Sequence, residues 1–89
     1  MAVKSGQLVV GTTAVVIPET CVMPWRLEIK NMDNSDDLFI GALGLTPSNG
    51  LRLAKLERIT LNLAPLDRVY LVSAKAGHNA GYLVFTQAC

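Results

Sequence analysis

Apolar and polar residues alternate one for one through Trp25-Arg26-Leu27-Glu28-Ile29-Lys30, and again through Arg58-Ile59-Thr60-Leu61-Asn62-Leu63. A period of two marks a β-strand with one dry face, whereas a helix would smear these apolar residues around its surface. The pattern predicts Trp25, Leu27, Ile29, Ile59, Leu61 and Leu63 inward, with Arg26, Glu28 and Lys30 in solvent. Four more runs, 7–10, 14–17, 67–73 and 81–86, are more continuously apolar and rich in Val, Ile, Tyr and Phe. Such strands are covered on both faces, by a second sheet or by another subunit.

Turn chemistry separates the runs. Asp33-Asn34-Ser35-Asp36 breaks the chain after Lys30, and Pro47-Ser48-Asn49-Gly50 carries an Asn-Gly, the strongest short turn signal. Ala64-Pro65-Leu66-Asp67 and Gly77-His78-Asn79 close two further reversals. Segment 51–58 (LRLAKLER) holds helix formers for only two turns; it reads as a short strand, a turn and the start of the next strand. All four prolines fall between runs. The expected fold is all-β: a small antiparallel β-sandwich or barrel of about six to eight short strands, with little or no helix. Residues 1–11 read as an N-terminal extended arm or edge strand that pairs with a neighbouring chain, the alternative being that 7–11 is the first strand of the subunit's own sheet, and residues 12–89 read as a single β-sandwich domain. In the arm, Lys4, Ser5, Gly6 and Gln7 interrupt the apolar residues of a self-contained strand.

Composition narrows the classes. With 89 residues and 9.6 kDa there is room for one domain, burying roughly 63% of the unfolded chain's surface. A 51% hydrophobic, 17% charged chain with mean hydropathy +0.36 is not disordered. A net charge of +1 supplies no field to gather nucleic acid or an anionic membrane, so neither is an expected partner. No run approaches the roughly eighteen apolar residues of a membrane helix, and Leu8-Val9-Val10 is too short for a signal-peptide core. A soluble chain made in a cytoplasm is expected. Its two cysteines, Cys21 and Cys89, are expected as reduced thiols.

Candidate chemistry is sparse. His78 suits a general base by its ordinary pKa, yet in Ala76-Gly77-His78-Asn79-Ala80 it reads as an exposed turn histidine. Asp33, Asp36 and Asp37 suggest a hard-cation site, but the calcium-loop glycine position holds Leu38 and no bidentate Glu follows. Gly41 and Gly44 lack the lysine and hydroxyl of a phosphate loop, and two thiols with one His make no zinc spacing. No catalytic residue, metal or cofactor is therefore expected. What remains is apolar surface. Met23 and Trp25 are of types favoured at contacts. Leu43 and Leu45 sit in an apolar loop, where loops are normally solvated, and Leu8, Val9 and Val10 stud the arm. These seven are the candidate protein-interface residues.

One set of segments resembles a small domain common in structural proteins of tailed bacteriophages. They are Trp25-Arg26-Leu27-Glu28-Ile29-Lys30-Asn31-Met32-Asp33, Leu38-Phe39-Ile40-Gly41, Ser48-Asn49-Gly50-Leu51-Arg52-Leu53 and Leu66-Asp67-Arg68-Val69-Tyr70-Leu71-Val72-Ser73-Ala74, and the likeness spans residues 13–85. The apolar Leu43-Gly44-Leu45 departs from the polar loop of that pattern. The resemblance implies a non-enzymatic virion structural protein, a capsid decoration (cement) protein on the head surface. Its partners would be the major capsid protein and copies of itself, as a homotrimer. A tail-tip, fibre or host-surface binding module is the alternative.

Overall fold

The computed structural model describes residues 2–33, 35–46 and 48–86. Asn34 and Pro47, assigned above to turns, and Cys89 lie outside the described residues. Eight strands follow one another: β1 (Ala2–Val10), β2 (Val15–Val16), β3 (Trp25–Asn31), β4 (Leu38–Gly41), β5 (Leu51–Leu53), β6 (Arg58–Leu63), β7 (Tyr70–Ser73) and β8 (His78–Thr86). No helix occurs among the described residues. The strands first pair as one long antiparallel ribbon, β1 with β8, β2 with β7, β3 with β6 and β4 with β5. The ribbon then rolls up, so that β3 also meets β8 and β4 also meets β7. Two four-stranded sheets result, in the orders β1-β8-β3-β6 and β2-β7-β4-β5. This is the eight-stranded jelly roll.

The period-two reading holds strand by strand. Along β3, Trp25, Leu27, Ile29 and Asn31 are buried, while Arg26 and Lys30 are exposed and Glu28 half-buried. On β6, Ile59, Leu61 and Leu63 are only half-buried, because β6 is an edge strand. Segment 51–58 is β5, a turn and the start of β6, as its pattern predicts. β7 is covered on both faces, with Leu71 and Val72 both buried. β1 and β8 are not. Val9 is 68% exposed, and the outward Phe85 of β8 is half-buried beneath the Arg26 guanidinium, 5.0 Å from its ring centre.

β1 belongs to the subunit's own sheet. It pairs with β8 from Ala2↔Thr86 to Val10↔His78 and forms the sheet edge. Opposite Tyr82, Gly6 leaves the space that the Tyr82 ring fills, and a Cβ there would strike the ring and its hydroxyl. The accessible surface is 5035 Å², against roughly 5,100 Å² expected of a monomer this size. The chain closes its core without help.

Two turns use one device. In Ala54-Lys55-Leu56-Glu57 the Glu57 carboxylate accepts the Ala54 N–H at 2.7 Å. In Ala64-Pro65-Leu66-Asp67 the Asp67 carboxylate accepts the Ala64 N–H at 2.9 Å. The third residue of each is left-handed, Leu56 at φ 60 and Leu66 at φ 66, a conformation that costs a non-glycine residue about 1–2 kcal/mol.

Cys21 corrects the expectation of reduced thiols, for it is disulfide-bonded and buried. Around it Leu66 N–H donates to Cys21 O at 2.8 Å, and Thr20 Oγ1 donates to Asp67 O at 3.1 Å, tying the β2–β3 loop to the β6–β7 turn. Reduction is expected to lower unfolding stability by about 2–4 kcal/mol, read as an earlier urea midpoint in dithiothreitol than in buffer alone.

Candidate assembly surfaces

The polar chemistry of the chain gathers at one end. The 11–14 turn, the 32–37 loop and the 54–57 and 74–77 turns all join strands there, as the antiparallel ladders require. His78 corrects the expectation of an exposed turn residue: it opens β8, faces inward and is fully buried. Its Nδ1 lies 2.9 Å from Ser73 Oγ and its Nε2 lies 2.6 Å from Asn31 Oδ1. Asn31 Nδ2 donates to the carbonyls of Asp36, Leu53 and Ala54. Those three acceptors fix the amide orientation, so Oδ1 must accept and His78 must carry its proton on Nε2. Ser73 then donates to Nδ1, while its Oγ accepts the Lys75 N–H at 3.2 Å.

Ser, His and Asn in one chain of hydrogen bonds resemble a nucleophilic relay in composition. The geometry gives a different role, since Ser73, His78 and Asn31 are all fully buried. A nucleophile must meet its substrate. This network instead bolts β3 and β8 of one sheet to β7 and β5 of the other. Burial lowers the His78 pKa below its ordinary 6.5 and keeps the ring neutral.

The acidic turn beside it holds a lysine. Lys75 Nζ sits 2.9 Å from Asp33 Oδ2 and 2.8 Å from Asp36 Oδ2. Hydrogen bonds from Lys75 and Ser35 hold both carboxyls below the usual carboxylate range, and the bonds to Asp36 and Asp33 raise Lys75. Among the described residues no cluster of His, Cys, Asp and Glu is arranged to hold a metal ion.

The opposite end exposes several large apolar side chains among its polar ones. The 17–24, 42–50 and 64–69 loops converge there, and their outward side chains include Val22, Met23, Leu43 and Leu66. Leu43 is 83% exposed and Leu66 64%. The seven candidate interface residues divide accordingly. Val9, Met23 and Leu43 are exposed, and Leu8 is half-buried against the core. Val10, Trp25 and Leu45 are buried in the subunit itself, which removes them from an open surface. Trp25 faces the core, with its Nε1 donating to Ala64 O at 3.1 Å. Leu45 turns back between Gly41 and Gly50, where a Cβ would come within 2.8 and 2.6 Å of its Cδ1. That explains half of the apolar loop and leaves Leu43 outside. Val22, Leu56 and Leu66 escaped the sequence reading. The signal for the two leucines is the shared turn pattern Ala-x-Leu-acid, which lifts the third side chain into solvent.

A groove of about 400 Å³ crosses the outer face of the first sheet, floored by Gly81 and walled by Gln7, Lys30 and Met32. It exists because Gly81 has no side chain to fill the row between β1 and β3.

A solved structure from work on Bacillus endospore appendages, described as a novel family of disulfide-linked pili, shares this fold. The TM-score is 0.63 with 13% sequence identity, covering 96% of this chain and 85% of that one. No family model and no curated protein matches the sequence.

Proposed function

We propose that this chain is a structural subunit that works by assembling with copies of itself outside the cell or on a particle surface. One observation carries the reading: Val22, Met23, Leu43 and Leu66, from three separate loops at one end of the sandwich, are all exposed apolar side chains. Apolar surface gathered at one place marks an interaction site more often than scattered residues do. The pilus subunit of the same fold supports self-assembly into an extracellular multimer, and the disulfide-bonded Cys21 suits an oxidising setting.

The phage resemblance gives this role a finer form, a decoration protein seated as a trimer on the major capsid protein of a head shell. Jelly rolls also build viral capsids, which favours it as a second reading. Electron microscopy of the oxidised protein, alone and mixed with empty phage heads, tests both. Filaments or rings from the protein alone support the first, and added density on the heads supports the second. Dispersed single subunits in both samples overturn the role. Leu43→Asp with Leu66→Asp is expected to weaken assembly at least tenfold, since two buried carboxylates cost more than the 1.4 kcal/mol that a factor of ten represents. Both side chains are exposed in the single subunit, so its melting temperature should hold.

A further inference from the structure

The two sheets guard their edges differently. The second sheet ends in β2 of two residues and β5 of three, too short to template anything. The first ends in β1 of nine residues and β6 of six. Neither carries a proline, and both ladders run without a bulge. The single charge of β1, Lys4, lies on the inward-facing side with Leu8 and Val10. Short strands, prolines, bulges and edge charges are the usual protections against edge pairing. The second sheet has the first of them; β1 carries one charge, Lys4, on its inward row and paired with Glu19 at 3.7 Å, and none on its outward face.

The open hydrogen-bonding groups can be identified. Asn31 N–H donates to Glu57 O at 2.9 Å and Met32 N–H to Asn79 O at 3.1 Å. Antiparallel bonding alternates along a strand, so these two bonds set the phase of both ladders. Residues 59, 61 and 63 bond to β3, and the N–H and C=O groups of Arg58, Thr60 and Asn62 point out of the sheet. Odd-numbered residues of β8 bond to β3 and even-numbered ones to β1. That leaves the N–H and C=O groups of Val3, Ser5, Gln7 and Val9 pointing out at the other edge. β1 and β6 run in opposite directions, because three antiparallel steps separate them. A second copy in the same orientation therefore presents its β1 antiparallel to β6.

We propose, resting on the assembling-subunit reading, that β1 of one copy pairs with β6 of the next and extends the first sheet from copy to copy. Joining the open groups places outward side chains opposite outward ones. Arg58, Thr60 and Asn62 then face only uncharged partners among Val3, Ser5, Gln7 and Val9, so no like charges oppose. With Gln7 opposite Thr60, the inward row sets Leu8 over the half-buried Ile59, Gly6 beside Leu61, and Lys4 beside Leu63 with its ammonium 3.7 Å from Glu19 of its own copy. The contact uses a different surface on each copy, so it closes into a ring where the rotation allows and otherwise runs on as a chain.

Amide hydrogen exchange compares the assembled protein with a dilute sample. Exchange at Arg58, Thr60 and Asn62, and at the three of Val3, Ser5, Gln7 and Val9 that lie opposite them, is expected to slow by about 100-fold or more on assembly. An assembly whose edge amides still exchange at the dilute rate overturns the contact and leaves the assembling-subunit reading standing. A parent chain that stays single at every concentration overturns that reading and the contact with it. Ser5→Pro and Thr60→Pro provide a second line, since each removes an outward N–H at a position where edge strands accept proline, Thr60→Pro also losing an exposed 3.5 Å hydroxyl bond to Glu28. Folded by circular dichroism, each alone should assemble at least tenfold more weakly than the parent, and an equal mixture should regain one edge contact per pair. Either variant assembling like the parent contradicts the contact.

Discussion

Ile29→Asp is expected to leave the chain largely unfolded at room temperature, while Glu28→Lys, one residue away, melts within about 0.5 kcal/mol of the parent. Ile29 is fully buried at the centre of β3, opposite Ile59 on one side and Tyr82 on the other. A carboxylate there has no partner and no water, which costs several kcal/mol against a total stability of about 5–10 kcal/mol. Glu28 gives up a 3.8 Å contact with an Arg58 that is 74% exposed, the kind of surface pair worth little. Leu61→Asp should fall between them, because a half-buried edge side chain can turn its charge to solvent. Urea titrations of the three variants check the order. An Ile29→Asp protein that melts like the parent would mean that the faces of β3 are reversed.

Stability is expected to fall as pH drops below about 6.5, and the cause is His78. In the folded chain the ring is buried and its pKa depressed, whereas the unfolded chain takes up the proton at the ordinary value. The unfolded state then binds more protons than the folded one, so stability is full above pH 6.5 and declines toward the depressed folded value, by at most about 1.4 kcal/mol per pH unit. Asp33 and Asp36 act with the same sign at lower pH, since their folded pKa values are also depressed. Their contribution is present above the usual carboxylate range and is lost as pH falls through the folded values. His78→Ala removes the first of these phases. It also strips the relay between Ser73 and Asn31, for a loss of about 2–4 kcal/mol at neutral pH. Thermal melts from pH 8 to pH 4 separate the two phases, and a parent equally stable at pH 7.5 and pH 5 would contradict a neutral buried His78.

The strands were legible because each edge or one-sided strand writes its environment as alternation. β3 and β6 show this most plainly, and the 51–58 turn follows from length alone. The jelly-roll order was not legible, since which strand lies beside which depends on long-range pairings that no local pattern encodes. His78 was misread for a related reason. Its flanking Gly77 does mark a turn, with φ 74, but the histidine itself is the first residue of β8 and is drawn inward by Asn31, 47 residues away. Residue type points Trp25 to a contact surface and an apolar loop points Leu45 there, but neither signal reports the depth of the side chain. The glycines make room, and Leu45 fills what Gly41 and Gly50 leave open. Leu43 differs from Leu45 by two positions, and only the loop's three-dimensional path separates the buried one from the exposed one.

The edges of the first sheet and the exposed apolar side chains at one end tell one story, of a core complete in a single copy and a surface that is not. Sedimentation velocity of the oxidised protein over a wide concentration range tests this most directly. The expected result is a mass that rises with concentration above the 9.6 kDa of one chain, as rings or lengthening chains. A single 9.6 kDa species at every concentration, with no partner shell present, would contradict self-assembly.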